Sequence, residues 1–432
     1  MRLLFLLPIV LAKDYYFDDF NVVENKNTLN ASRQNMKSFS DALDLASVND
    51  KIIIPNNQTY YMISRYEETY FENLLNLTIV IDGKLIMYND PSQWPSDNVS
   101  KFYNFIDIRN SKNIIMTGNG IIDGQGFIWW EQFFQNKIFR QRPSIIEIKD
   151  SQNIIVENIT LLNGPRFHVN VDNILNLIVR NMIIWVNPKQ NHKIMYPLNT
   201  DGIDVKGKNI HVYNISISNF DDSVAIKPLN SNDIDIDNVV MNCSSNILIE
   251  DINILYGAGL SIGSVTSSHD NCVENVIFQN IHAKNPLKFI YIKTEESNEN
   301  IKARVNNITY QNMTAVNPYA WPIYLGPQQQ KEPDGTGEGF WPNTNPYVSI
   351  NNITFKNIII KNNKRQSGLL RCNITNPCTN IKFINVSIQK KRKCKKIKSY
   401  SCDEKGTLIG SFDSYTKPKP DNCGLMLTNI FP

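Results

Sequence analysis

The chain has 432 residues and a nearly balanced formal charge of +3, which gives no basis for binding nucleic acid or polyanions in general. Such a length could hold two or three ordinary domains, but large β folds also run this long as one unit. Beyond residue 12 no segment stays apolar over the ~20 residues that a membrane helix needs.

Met1–Arg2 is followed by an apolar run, Leu3 to Ala12, and then Lys13–Asp14. The run is too short to span a bilayer and has the form of a secretory signal peptide covering residues 1–12. A secreted, extracellular chain with one domain over 13–432 is expected. Residues 14–35 are polar and Asn-rich and read as a loose lead-in. Phe39, Ala42, Leu43 and Ala46 have helical spacing within Ser38–Ser47, with Ser38 as N-cap. This helix, within a cap of about residues 37–50, would cover the open end of whatever follows. Lys51–Pro55 then begins a strand.

From there a short unit recurs. Asn113-Ile-Ile-Met-Thr-Gly returns with its Asn at 153, 176, 209, 246, 275, 307, 352 and 380, at intervals of 23 to 45 residues. Each copy alternates apolar and polar residues, turns at a polar residue, and continues as a second short apolar strand such as Ile358–Ile360. Self-similarity without an amphipathic helix in the unit predicts stacked parallel strands, a parallel β-helix. The recurrent Asn suits the left-handed corner of each coil and can hydrogen-bond its counterparts above and below. Its role is therefore read as structural, and the Ile/Val/Leu/Phe positions as core.

Two insertions break the rhythm. Gln125–Arg142 carries Trp129 and Trp130, and Pro318–Pro346 carries Trp321 and Trp341, with Tyr347 next to it. Long loops on one face of a solenoid often form its binding face, where aromatics can stack on sugar rings; packing onto the cylinder is the alternative. Seven cysteines fall in the second half and are expected to bridge in a secreted chain. Cys243 with Cys272 and Cys372 with Cys378 are candidate pairs. Acceptor sequons, among them Asn30, Asn57, Asn76, Asn98, Asn158, Asn214, Asn312, Asn352 and Asn385, predict a glycoprotein in a eukaryotic host. The tail of about 390–432 opens on a basic run, Lys390 to Lys398, that reads as solvated.

The stretch Asn199–Pro228 gathers three carboxylates in a strand-rich setting. Asp201 is followed by Asp221 and Asp222, 20 and 21 residues on. That is about one coil, so the acids would meet on neighbouring coils roughly 4.8 Å apart. Carboxylates are costly to crowd, and hydrolysis of glycosidic bonds uses paired carboxylates without a metal or other cofactor. Gly257–Ser264 and Ile290–Thr294 extend the same surface; Gly259 would let a ligand approach closely and Lys293 would add a cation.

Asn199-Thr200-Asp201, Asp221-Asp222, Gly257-Ala258-Gly259-Leu-Ser-Ile-Gly-Ser264 and Tyr291-Ile292-Lys293, in this order, resemble the four signature blocks of the pectin-degrading polygalacturonases, glycoside hydrolase family 28. The resemblance covers roughly residues 37–390 and implies a right-handed parallel β-helix. It further implies cleavage of α-1,4-galacturonosyl linkages in an acidic polysaccharide by a monomer that inverts configuration. By position, Asp221 would be the general acid, and Asp201 with Asp222 would activate water. Lys293, with Tyr291 and Gly259 beside it, would bind the sugar, and Asn199 would support the site. Inversion implies a carboxylate gap of about 6.5–9.5 Å. Two positions depart from the pattern: Ala258 stands where the family has His, and Tyr291 where it has Arg. They motivate a second reading, a β-helix that binds polysaccharide in the wall without turning it over.

Overall fold

The computed structural model describes residues 12–66, 69–190, 192–194, 196–329, 342–391, 400–402 and 407–427. The proposed signal peptide, most of the basic run, Cys394 and Trp341 lie outside the described residues.

Asparagine sets the geometry of the cylinder. In single coils the left-handed corners fall five residues apart: Asn153, Asn158 and Asn163 have φ of 55°, 66° and 49°, and Asn352, Asn357 and Asn362 have 57°, 52° and 56°. Asn adopts this conformation more cheaply than other side chains with a Cβ. Its amide then reaches the next coil. Asn153 Nδ2 donates to Asn113 Oδ1 at 2.6 Å, Asn176 to Asn153 at 2.8 Å and Asn209 to Asn176 at 3.0 Å. A second ladder runs from Asn214 to Asn181 to Asn158, at 2.7 and 3.1 Å.

Between corners the strands pair in parallel register, 26 of them in one continuous sheet, a parallel β-helix. Inward-facing residues stack by register. Ile148, Val171, Val205, Ile226, Ile262, Ile292, Leu325 and Leu370 follow one another coil by coil, all buried. Further on, Phe278, Tyr310, Phe355 and Phe383 stack with ring centroids 4.7, 5.6 and 4.8 Å apart. Each such side chain contributes about 1.5–3 kcal/mol of burial. One residue earlier on the same strands, the opposite face carries Glu147, Asn170, Asp204, Ala225, Ser261, Tyr291, Tyr324 and Leu369 in register. This row floors the surface on which the acids sit.

The capping helix α1 spans Leu29–Leu45, beginning nine residues before the expected start. Thr28 is its N-cap, accepting from the Ala31 amide at 3.3 Å. Ser38 is buried inside the helix and donates to the Asn21 carbonyl. The first two turns escaped the apolar pattern because Ser32 and Asn35 face inward; Asn35 Nδ2 bonds the carbonyls of Val23 and Tyr61. Phe39 closes the first coil against Phe17 and Phe71.

The first insertion holds helix α2, Gly126–Phe134. Trp129 and Trp130 are both fully buried. Trp129 meets Trp94 and Phe102 edge-on, and Trp130 Nε1 donates to the Pro165 carbonyl. Trp321 is likewise buried and donates to Gln366 Oε1. Packing, rather than sugar stacking, accounts for these three indoles. Cys243–Cys272 and Cys372–Cys378 are bridged as expected, and Cys402–Cys423 forms a third bridge. The strands Tyr400–Cys402 and Leu408–Phe412 pair with Gly368–Leu370 and Cys378–Lys390, so the solenoid continues past residue 390.

Candidate active site

Asp201 precedes the strand Ile203–Ser218, and Asp222 opens the strand Asp222–Ile226 on the next coil. The His168 amide donates to the Asp201 carbonyl at 3.0 Å, and the Gly202 amide to the Asp222 carbonyl at 2.9 Å. Asp221 stands at the corner ahead of Asp222. Its Oδ2 accepts from the Asn199 amide at 2.8 Å and its Oδ1 from the Asp222 amide at 2.9 Å. Asn199 therefore supports the acid through its backbone, with φ of 58°.

The three carboxylates meet. One oxygen from each of Asp201, Asp221 and Asp222 lies within 4.8 Å of the others. Asp201 sits on the coil directly adjacent to that of Asp221 and Asp222, as the coil length predicts, and these oxygens lie closer than the carboxylate gap of about 6.5–9.5 Å usual for inversion. The space still admits one water between two oxygens, since two hydrogen bonds of about 2.8 Å span up to about 5.6 Å. Three oxygens so close could also meet a hard cation. Here Lys293 and Lys227 already set two positive charges against them, 3.0 Å from Asp222 and 3.3 Å from Asp204.

Electrostatics separates the three acids. Burial raises Asp201 well above the ordinary carboxylate range, helped by Asp204, Asp221 and Asp222. Burial and then Asp222 raise Asp221, against Lys293 and the two amides. Burial alone would raise Asp222 too, but Lys293, Lys227 and the Ser261 hydroxyl at 2.7 Å outweigh it and hold it low. The cluster thus sets Asp222, held down by its cationic and hydroxyl partners, beside two carboxyls pushed up by burial.

The other expected sugar ligands are occupied within the protein. Lys293 is buried and engaged by Asp222. Tyr291 is 2% exposed and packs with Ala258, Trp321, Tyr324 and Leu369. Gly259 has φ of 116°, and a Cβ there would lie 2.5 Å from the Phe289 carbonyl oxygen. Close stacking of coils, not ligand approach, requires that glycine.

Asn219 and Lys227 escaped the sequence reading, whereas Asp204 and His168 read there as structural neighbours. Asn219, fully buried, donates to the carbonyls of Thr200, Asp221 and Asp222 and accepts from Ser223, so one amide ties both acid-bearing turns together. Its position two residues ahead of the acid doublet, where apolar alternation stops, was the available signal. Asp204 and Lys227 form a buried pair beneath the cluster, and burial raises Asp204 to about 6. His168 is fully buried and neutral, pushed down to about 4 by burial. Its Nδ1 faces the Asp201 carbonyl and its Nε2 accepts from the Gly164 amide, a structural role. Tyr196, 39% exposed, meets Phe220 edge-on at 5.3 Å, and Phe220 meets Tyr256 at 4.9 Å, so an aromatic wall rises beside Asp221.

A parallel β-helix with a carboxylate triple on two adjacent coils, backed by buried lysines, defines a class of protein built around acid chemistry on a solenoid face. The chain belongs to glycosyl hydrolases family 28, whose sequence profile matches residues 62–403. It is 28% identical over 329 residues to a polygalacturonase of Chamaecyparis obtusa, covering 73% of this chain and 56% of that one. It is 26% identical to a probable endo-xylogalacturonan hydrolase A of Aspergillus niger, covering 68% of each chain. The fold is similar to that of a polygalacturonase from Erwinia carotovora, with a TM-score of 0.65 at 22% identity, covering 87% of this chain and 93% of that one. The chain thus spans little more than half the length of the first of these relatives. Among the described residues no helix is long and apolar enough to cross a membrane.

Proposed function

We propose that this protein is a secreted glycoside hydrolase that cleaves galacturonosyl linkages in a pectin-type polysaccharide. The observation that carries this reading is the meeting of three carboxylates within 4.8 Å of one another in unlike surroundings, where burial pushes Asp201 and Asp221 up while Lys293 and Lys227 hold Asp222 down. A hydrolase needs one carboxyl that holds its proton and one that has lost it. Asp221 gives its proton to the glycosidic oxygen as the C–O bond breaks. Asp222, kept ionised by Lys293, takes a proton from a water as that water attacks the anomeric carbon. Asp201, on the neighbouring coil, helps to hold that water, and the proton taken by Asp222 then passes back to Asp221, which resets the cluster. Attack from the face opposite the leaving group inverts the configuration.

Reducing-sugar release from polygalacturonate, followed by NMR of the first anomer formed, tests both parts. Hydrolysis with the inverted anomer is expected. A retained anomer would overturn the single-step scheme, for which a separation as short as this one is unusual. No release from any pectic polymer would overturn the hydrolase. The non-catalytic wall-protein reading draws on Ala258 and on the buried Tyr291. It predicts polysaccharide binding with no product, and loses if product appears and vanishes in Asp201→Asn. The opposed shifts favour the hydrolase, because a surface that only binds has no use for carboxyls pushed up beside one held down.

A further inference from the structure

Two arginines beside the acids have no part in this scheme. Arg142 is 4% exposed; its Nη2 donates to the Leu198 carbonyl, while its Nη1 is buried with no hydrogen-bond partner among the described residues. Arg166 is half-buried; its Nη1 donates to Gln141 Oε1 at 2.9 Å and its guanidinium lies 4.1 Å from the centroid of the Phe167 ring. Neither hydrogen-bonds a carboxylate among the described residues. The two are close enough that Arg166 helps burial push Arg142 down to about 10, while Asp221 and Asp201 pull it back. Asp201, Glu147 and Asp204 likewise act on Arg166 against its burial. Arg166 lies two residues before His168, whose amide bonds the Asp201 carbonyl. Arg166 therefore sits on the N-terminal flank of the acids, one coil from Asp201, and Arg142 precedes the strand one coil further back, where Ile146 pairs with Val169 and Val169 with Ile203.

A guanidinium taken from water without a paired anion is costly, and two side by side are costlier. The acids nearby do not settle that cost. Asp221 is taken up by the amides of Asn199 and Asp222, and Asp222 is already served by Lys293 at 3.0 Å. The planar fork of Arg matches a carboxylate with two parallel hydrogen bonds. A uronic acid polymer carries one carboxylate on every sugar. We propose that Arg166, backed by Arg142, seats the carboxylate of the sugar that lies on the N-terminal side of the cleaved bond. This deepens the reading above and rests on its uronate substrate.

Calorimetric binding tests it in the Asp221→Asn background, where turnover is blocked, with trigalacturonate and its trimethyl ester as probes. Adding Arg166→Gln should weaken trigalacturonate by at least about tenfold, the effect of losing a charge-assisted pair, and leave the ester unchanged. Arg166→Lys should restore part of the loss. Equal weakening of acid and ester, or no change for either, overturns the proposal. Should Arg166→Gln fail to fold, Arg166→Lys keeps the charge and loses the fork, and must still weaken the acid relative to the ester; an unaltered preference overturns the proposal. A wild type that hydrolyses pectic polymers without this charge preference rejects the seat alone. Charge-selective binding in a wild type that hydrolyses nothing rejects the hydrolase alone.

Discussion

Lys293 Nζ lies 3.0 Å from Asp222 Oδ2, with the two side chains 7% and 1% exposed. Removing one member of such a pair strands the other charge, typically at a cost of 3–5 kcal/mol. Lys293→Met should therefore lose about that much stability at pH 7 in urea unfolding. The sign follows from Asp222. Its folded value is depressed, so the stability it adds is present above its unfolded value and fades as pH falls through the folded one. The gap between wild type and variant should accordingly close in acid. The same substitution should move the acidic limb of the activity profile to higher pH, because Asp222 then ionises later. An acidic limb that stays in place would show that another group is the base.

Asp221→Asn keeps the shape but only one of the two hydrogen bonds from Asn199 and Asp222, since its Nδ2 cannot accept, and it carries no proton of use to a leaving group. Turnover should fall by about 10²–10⁴-fold, far more than the loss of one hydrogen bond, about 0.5–1.5 kcal/mol of stability, would explain. Because Asp221 is raised, the wild-type activity should fade as pH rises through its folded value. Persistent turnover in the variant would move the acid role to Asp201.

Asp201→Asn separates activity from stability. Burial raises Asp201, so its folded form holds a proton more tightly than the unfolded chain does. For such a group stability is greatest below the unfolded value and is lost as pH rises through the folded one. The neutral variant should thus melt at a higher temperature than wild type near neutral pH, while losing turnover. A lower melting temperature there would show that the charge is stabilised by neighbours more than burial opposes it.

The β-helix was legible because its cause is local and repeated. A left-handed corner every coil selects Asn, and parallel strands select apolar alternation, so one residue pattern appears nine times. The meeting of Asp201 with Asp221 and Asp222 followed from coil length. Asn219, Lys227 and the Arg142–Arg166 pair were not legible, since each acts across coils through contacts that leave no periodic trace. The indoles stayed open between sugar and core for the opposite reason: Trp129 and Trp130 lie in an insertion, and helix α2 folds them onto the cylinder. Helix α1 was found short because Ser32 and Asn35 turn polar side chains inward, Asn35 bonding the carbonyls of Val23 and Tyr61, instead of adding to the apolar face.

The indoles give a direct check. Trp129→Ala should cost about 3–5 kcal/mol of stability, as a cavity left among Trp94 and Phe102. Affinity of the folded variant for oligogalacturonate should be unchanged. Weaker binding without loss of stability would return this residue to the sugar.

The corner ladder offers another. Asn181 donates to Asn158, accepts from Asn214, and has φ of 55°. Asn181→Ala loses both bonds, about 0.5–1.5 kcal/mol each, and forces alanine into a conformation that costs it a further 1–2 kcal/mol or so. Asn181→Gly loses the bonds alone, so denaturant unfolding should rank wild type above Gly above Ala. Equal losses for the two would mean that corner conformation contributes nothing.

The parallel register has one more consequence. Neighbouring coils repeat at about 4.8 Å, close to the length of one pyranose in an extended polysaccharide. The face that carries the acids is therefore a ruler commensurate with its proposed ligand, on which a chain laid along the cylinder axis would meet one coil per sugar. Substituting the outward residue of a single coil would rewrite the demand on a single unit of the polymer, and a preference for acidic, esterified or branched sugars could be set position by position while the cylinder beneath stays the same.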